Sequence, residues 1–264
     1  LRNSDTTRYV GAKMLRANIR WLVSGTPIQN RKQDFYNLCA MLRMPASFYT
    51  ESDNLKVLAR AFILKRTKKQ VGIVIPDIIQ KKEIVEWSNR KEMELSEEIH
   101  SALEFSRVAG NKGKEMAGKL YGNGILAMLL RARQTCIYPK MIGKYIDKLV
   151  QKGLFGNYSS YSEAFNCSSK LDHAVGRILE RKGNGCGKLI FCHFREEIDE
   201  IAQRLKAGGL TNVATFDGRT SNGKRNDILS LGHEALILQI QTGCEGLNLQ
   251  EHYSEIYFIS PHWN

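Results

Sequence analysis

The chain has 264 residues, of which 42% are hydrophobic and 25% charged, enough to bury a core in one large or two modest domains. No apolar run reaches the roughly 18–20 residues that span a bilayer, so we expect no membrane partner. Nothing resembles a signal peptide, and the chain opens without a methionine, so we expect a piece of a longer protein.

The formal net charge of +12 is concentrated at the beginning of the chain. Residues 1–80 hold 14 Lys/Arg against 5 Asp/Glu, whereas residues 168–264 hold 11 against 12. Concentrated basic charge suits a polyanionic partner, because neutralising phosphates releases their counterions. A solvated basic surface without a ligand explains the same charge equally well.

The six cysteines are widely scattered and form no C-x-x-C pair, so we expect no zinc site. Scattered cysteines in a chain of this size are typical of a reducing compartment, which is nuclear or cytoplasmic, and a viral source is equally open.

Residues 1–80 are predicted to be mixed in structure. The apolar spacing and the breaking proline at Pro45 predict, in chain order, a helix within 5–17, a strand at 20–24, a helix at 34–42, a helix at 55–64 and a cationic stretch at 65–69.

The rest of the chain changes from helical to alternating. We predict a connecting strand near 80–87, helices over 90–137 with a break at 110–113, and a loop at 152–168. There follow helices at 170–180, 196–206 and 224–231 and strands at 189–192, 213–216, 235–240 and 256–259. Strands that alternate with helices of this length predict a parallel sheet with right-handed crossovers.

Residues 21–30 (WLVSGTPIQN) are the most informative stretch. An apolar strand that ends in small hydroxyl residues places polar groups at the carboxyl edge of an α/β sheet, where such sheets bind ligands. A buried strand ending in a tight turn is the plainer interpretation. The ten residues together resemble motif III of the SWI/SNF-type ATPases of helicase superfamily two.

Further segments resemble the same family, in the family's order. They are residues 1–3 (LRN), 62–68 (FILKRTK), 130–136 (LRARQTC) with Pro139, 168–171 (SSKL), 188–194 (KLIFCHF, similar to motif IV), 217–218 with Arg225 (similar to the family's DG element), 242–249 (TGCEGLNL, similar to motif V) and 261–264 (PHWN). Relatives that share the 130–139 pattern often carry a RING zinc domain after it, but residues 140–167 contain one cysteine and no histidine.

The resemblance implies an α/β fold of two RecA-like parallel-sheet lobes, the first incomplete, joined by a helical segment. The implied divisions are the end of the first lobe at 1–80, a helical brace and linker at 81–167, and a second lobe at 168–264. The implied function is ATP-dependent translocation on double-stranded DNA with remodelling of DNA-bound proteins, as in chromatin remodelling.

The family's motifs also imply site residues. Motif III would couple ATP to DNA through Ser24, Gly25, Thr26, Gln29 and Asn30. DNA contacts would come from Lys65, Arg66, Gly243, Gly246, Asn248 and Trp263.

Some of these residues have plainer explanations. Trp263 could pack under the last strand, and Lys65 and Arg66 could form a solvated helix end.

Motif V departs from the family pattern. Its glycines allow backbone N–H groups to approach a phosphate, but Cys244 and Glu245 replace the usual Gly and Val, and a carboxylate there would repel phosphate. In the 130–136 segment, Arg131 and Arg133 are expected to brace the lobes and not to contact DNA.

The nucleotide-binding motifs lie outside the chain. No G-x-x-x-x-G-K-[ST] loop and no DEAH box occur, and motif VI would follow residue 264. We therefore expect ATP and Mg²⁺ for the full-length protein, but predict that this chain alone neither hydrolyses ATP nor binds it, so no catalytic or metal residue is assigned. The alternative is a non-catalytic nucleic-acid or partner-binding module; a nucleotide-binding or methyl-transfer enzyme lacks its Gly-rich fingerprint.

Overall fold

The computed structural model describes residues 3–29, 31–108, 125–151, 162–243 and 246–260. Two compact units divide at residues 81 and 82, and each is described by itself.

The described residues of the first unit form four α-helices and a short 3₁₀ turn at Lys69–Val71. The helices are α1 (Thr7–Met14), α2 (Lys32–Met41), α3 (Ala46–Thr50) and α4 (Ser52–Phe62). Thr6 caps α1 because its side-chain oxygen accepts a hydrogen bond from the Tyr9 N–H. The Tyr9 hydroxyl donates to the Asn37 carbonyl at 3.0 Å, which joins α1 to α2, and the buried apolar side chains described in this unit are Tyr9, Cys39, Met41 and Leu58. The predicted helices at 5–17, 34–42 and 55–64 are therefore confirmed.

The strand predicted at residues 20–24 is wrong. These residues have no regular structure, and Trp21 and Val23 are 80% and 96% exposed. A strand exists only by hydrogen bonding to a neighbour, and the described residues up to 81 contain no other strand to pair with it. The Arg20 guanidinium instead donates to the Met41 carbonyl at 2.7 Å, which fastens the segment to the end of α2. The connecting strand suggested near 80–87 is also not formed.

Helices open the second unit. They are α5 (Arg90–Val108), α6 (Ile125–Ile137), α7 (Lys140–Gln151) and α8 (Ser169–Glu180), with a short 3₁₀ turn at Ala164–Asn166. The helical prediction for 90–137 is confirmed at both ends, whereas the break at 110–113 and most of the 152–168 loop lie outside the described residues. Helix α7 was not predicted.

A parallel four-stranded sheet completes the second unit and confirms the α/β prediction. Its elements are β1 (Gly187–Cys192), α9 (Arg195–Ala207), β2 (Val213–Phe216), α10 (Asn222–Ser230), β3 (Ala235–Gln239), α11 (Ile240–Gly243) and β4 (Tyr253–Phe258). The strand order is β2-β3-β1-β4, and every pairing is parallel. All four carboxyl ends therefore lie at one edge.

Apolar side chains pack on both faces of the central strands β1 and β3, as is usual for parallel sheets, whereas the edge strand β4 leaves Ile256 and Phe258 exposed. On one face Ile190 and Ile237, paired across β1 and β3, pack with α8 and α9. On the other face Leu236 and Leu238 pack with Phe216. Strand β3 is buried on both faces, so the residue that ends it is held firmly.

A buried carboxylate connects α5 to the beginning of α8. Glu92 is fully buried, and its two oxygens each lie 3.1 Å from the Ser169 N–H, while the Ser169 hydroxyl donates to Glu92 as well. The Ser88 N–H donates to the Ser169 hydroxyl at 2.9 Å. A carboxylate at a helix N-terminus satisfies donors that the helix cannot pair, so α5 is anchored to the domain that carries the sheet.

Candidate site at the carboxyl edge of the sheet

The carboxyl edge gathers the loops that follow the strands. His193 and Phe194 follow β1, Asp217 and Gly218 follow β2, and the short α11 follows β3. Open α/β sheets bind ligands at this edge. The sequence segments that resemble family motifs IV and V and the DG element are thus brought to one place.

Gln239, the last residue of β3, holds three of these loops together. Its side-chain amide nitrogen donates to the His193 carbonyl at 3.1 Å. Its amide oxygen accepts from the Gly218 N–H at 3.4 Å and from the Thr242 hydroxyl at 3.3 Å. One amide can fill both roles because it carries a donor and an acceptor. Gln239 therefore connects the loop after β3 to the loops after β1 and β2.

Glu197 lies behind this edge in the first turn of α9. It is fully buried, and one carboxylate oxygen accepts from the His193 and Phe194 N–H groups at 2.9 and 3.0 Å. Among the described residues its other oxygen has no hydrogen-bond partner. Burial raises the pKa of Glu197, and the two N–H groups, Lys170 and Arg133 offset part of that increase.

Asp217 and Arg219 stabilise the loop after β2. The Arg219 guanidinium lies 2.6 Å from a carboxylate oxygen of Asp217, which is nearly fully buried, and 2.8 Å from one of Asp199. Hydrogen bonds from Arg219 lower the pKa of Asp217, and hydrogen bonds to both aspartates raise the pKa of Arg219. The charge of Arg219 is therefore already balanced within the protein.

Arg225 and Arg195, two other arginines of this edge, differ in their contacts and exposure. Arg225 donates to the Thr220 carbonyl at 3.0 Å and lies 5.4 Å above the Phe216 ring, so it supports the loop. Arg195 begins α9, is exposed and forms no ion pair among the described residues. Of these two arginines, Arg195 is the more exposed, and its positive charge helps to lower the pKa of Asp217.

The motif V glycines serve two different backbone requirements. A Cβ on buried Gly243 would lie 2.8 Å from the Leu238 Cδ2 atom, so a glycine is needed there for packing. Gly246 has a φ of +77°, in the left-handed region that favours glycine, and is exposed. Asn248 is exposed as well. Cys244 and Glu245 lie outside the described residues, so the direction of the Glu245 carboxylate stays open.

The motif III residues lie in the first unit and face solvent. Ser24, Gly25, Thr26 and Gln29 are exposed; the Thr26 N–H donates to the Ser24 hydroxyl at 3.2 Å, and the Gln29 N–H donates to Asp34 of α2 at 3.2 Å. The turn is therefore held locally and presents its polar groups outward.

The remaining predicted DNA contacts are exposed or undescribed. Lys65 and Arg66 follow α4 and are exposed. Asn30 and Trp263 lie outside the described residues. The assigned roles of all these side chains remain predictions.

In the described parts of the chain, no three His, Cys, Asp or Glu side chains are grouped in a way that could hold a metal ion. Over the same residues, no helix has the length and apolarity to cross a membrane.

Comparison with known proteins decides the family. The family described as the SNF2-related domain matches residues 1–141, which is more than half of the chain. The chain belongs to the SNF2-related domain family. This assignment confirms the resemblance inferred from motif III and the segments that follow it.

Curated relatives of this SNF2-related chain align along its whole length. A "Probable global transactivator" of Orgyia pseudotsugata multicapsid polyhedrosis virus is 24% identical over 282 residues, covering 100% of this chain and 54% of the relative. An uncharacterized ATP-dependent helicase of Mycoplasma genitalium is 26% identical over 284 residues, covering 100% of this chain and 25% of the relative. The chain thus spans about half or less of the length of these relatives.

Among solved structures, the Sulfolobus solfataricus SWI2/SNF2 ATPase C-terminal domain is similar with a TM-score of 0.45 and 21% identity. The match covers 66% of this chain and 68% of that one.

The SNF2-related chain also contains site residues that sequence reasoning missed. Gln239 and Glu197 were not singled out, although an amide that directly ends a buried strand is a usable signal for the former. Arg131 donates to Gln134 at 2.8 Å, and its guanidinium carbon lies 4.6 Å from the centre of the Tyr145 ring of α7. Arg131 thus links helices within the second unit.

Proposed function

We propose that this chain is part of an ATP-dependent double-stranded-DNA translocase of the SWI/SNF type, which remodels protein–DNA complexes. The observation that carries the proposal is the ordered series of family segments on a chain that belongs to the SNF2-related family. The name of the mycoplasma relative, an ATP-dependent helicase, favours this reading over a non-catalytic binding module.

The carboxyl edge of the sheet supports the proposal physically. A motor must convert a change at one loop into a change at another, and Gln239 connects the loops after β1, β2 and β3 through hydrogen bonds of 3.1–3.4 Å. Hydrogen-bond networks that join neighbouring loops are one of the physical links through which coupling between sites can travel. In the proposal, a conformational change in motif V is passed through Gln239 to the loops after β1 and β2.

Double-stranded DNA is the proposed partner, together with the proteins bound to it. The basic excess of residues 1–80 and the exposed cations Lys65, Arg66 and Arg195 can neutralise phosphates. Lys65 and Arg66 are the family-implied contacts, and Arg195 adds an exposed charge on the second unit.

The charge reversals Lys65→Glu and Arg66→Glu test the DNA partner. Each phosphate contact that is lost should reduce the slope of log K against log salt by about 0.9 for duplex DNA. The measurement is fluorescence anisotropy of full-length protein on duplex DNA from 50 to 200 mM salt, with Lys206→Glu, at an exposed position of α9 outside the basic region, as the control. Unchanged affinity and slope in the double variant would show that this patch is only a solvated surface.

ATP and Mg²⁺ enter the proposal through the full-length protein. Because the chain lacks the phosphate-binding loop and the acidic motif, we propose that residues 1–264 alone bind no ATP and have no ATPase activity. DNA-stimulated ATP hydrolysis by the isolated chain would contradict this proposal.

The free cysteines described at positions 39, 136, 167, 186 and 192 favour a reducing compartment, nuclear or cytoplasmic.

A further inference from the structure

A thiol, an imidazole and a hydroxyl come together between α5 and α6, away from the carboxyl edge. The Cys136 sulfur lies 3.9 Å from Nε2 of His100 and 3.6 Å from the Ser96 hydroxyl. Cys136 is partly exposed and His100 is exposed, so a small reagent can reach both. No role assigned above uses these three side chains.

The orientation of His100 determines which of its nitrogens faces the thiol. Nδ1 lies 2.7 Å from the Ser96 carbonyl oxygen, and a carbonyl can only accept, so Nδ1 carries a proton. In the neutral ring Nε2 is then the acceptor, and it is the atom directed at the Cys136 sulfur. A nucleophile in contact with a base that is itself oriented by a third group is the arrangement that activates thiols.

The charges around the thiol act in the same direction. Burial alone would raise the pKa of Cys136. In the thiolate form, however, the sulfur accepts hydrogen bonds from His100 and Ser96, and these bonds, with the positive charges of protonated His100 and of Lys170 on α8, bring the pKa below its usual value. Cys167 provides the contrast within the same unit: burial and nearby carboxylates raise its pKa. The two partly exposed thiols therefore differ in the direction of their shift.

We propose that Cys136 is a reactive thiol that peroxides and other small electrophiles modify selectively, with His100 as its positioning base. In the peroxide reaction, the Cys136 thiolate attacks one peroxide oxygen, an S–O bond forms and the O–O bond breaks. The leaving hydroxide takes the proton from the His100 imidazolium and departs as water, so sulfur is oxidised to a sulfenic acid and the peroxide is reduced. A second thiol of the glutathione class would then attack the sulfenic sulfur, so that an S–S bond forms, the S–O bond breaks and water leaves, giving a mixed disulfide.

Alkylation of the full-length protein by iodoacetamide, resolved by residue with mass spectrometry, tests the proposal without ATP or DNA. Each unit of difference in pKa between two thiols changes the thiolate fraction tenfold and costs about threefold in nucleophilicity. Because the pKa of Cys136 is lowered and that of Cys167 is raised, we expect Cys136 to react severalfold faster than Cys167 at pH 7, and its rate to reach half-maximum at a lower pH.

His100→Gln tests the assigned base, and His173→Gln, a partly exposed histidine on α8, is the matched control. The first variant should move the pH midpoint of Cys136 upward and the control should not; circular dichroism establishes that both are folded. Trapping with a 1,3-dione after peroxide should label Cys136 before Cys167. Equal alkylation rates, a midpoint unaffected by His100→Gln, or dione labelling that does not prefer Cys136 would each overturn the proposal.

Discussion

Replacing Gln239 with leucine removes the amide that joins the loops of the carboxyl edge while keeping a side chain of similar size. The His193 carbonyl, in a residue only 6% exposed, loses its donor, and the exposed Gly218 N–H loses its acceptor but can be rehydrated. Losing a hydrogen bond at a buried group costs about 1–3 kcal/mol and at an exposed group about 0.5 kcal/mol, so we expect a loss of about 1.5–3.5 kcal/mol. For a unit of this size each kcal/mol lowers Tm by about 2–4 °C, which predicts a decrease of about 3–14 °C.

Differential scanning calorimetry of the full-length protein measures this change, and Gln203→Leu at an exposed position of α9 is the control. Hydrogen exchange adds a local readout, because the Gly218 N–H should exchange faster in the Gln239 variant alone. A Tm decrease no larger than that of the Gln203 variant, with unchanged exchange at Gly218, would refute the connecting role of Gln239.

Two further predictions concern stability. Burial alone would raise the pKa of Glu255, but hydrogen bonds from its arginine, asparagine and tyrosine neighbours lower it to about 2, below the value in the unfolded chain. The ionised Glu255 therefore stabilises the folded state above about pH 4.5, and this stabilisation is lost as the pH falls toward 2. Glu255→Gln should therefore destabilise the protein by on the order of 2–3 kcal/mol in urea unfolding at pH 7, and a deficit that does not shrink near pH 2.5 would contradict that reasoning. Gly243→Ala places a methyl group 2.8 Å from Leu238 and should cost about 1–3 kcal/mol in the same assay, whereas unchanged stability would show that Leu238 moves freely.

Local patterns were sufficient to predict most of the second unit. The strand predicted at 213–216 coincides with Val213–Phe216, and the predicted helix at 170–180 differs by one residue from Ser169–Glu180. Short apolar runs between turn signals specify such strands because the alternating helices supply a partner for each face.

The first unit shows why the same reasoning failed at residues 20–24. The apolar run there has strand character, but a strand also needs a hydrogen-bonding neighbour, which no pattern within the run can provide. Trp21 is instead 80% exposed. A propensity read from one segment cannot report whether the rest of a sheet is present.

Site residues were predictable only as motif members. Sequence located Gly243 in motif V and suggested a close approach of phosphate, whereas the structure adds that its missing Cβ makes room for Leu238. The role of Gln239 could not be predicted because its partners, His193 and Gly218, come from different strands. Such contacts follow from the strand order, which the sequence pattern alone leaves open.

We have proposed that this chain is part of a motor that hydrolyses ATP on duplex DNA. The decisive measurement is steady-state ATP hydrolysis by the full-length protein with Mg²⁺, in the presence and absence of double-stranded DNA. We predict that duplex DNA stimulates hydrolysis and that increasing salt weakens the stimulation, since phosphate contacts carry the binding. A folded full-length protein that binds duplex DNA but hydrolyses ATP no faster with it would contradict the account.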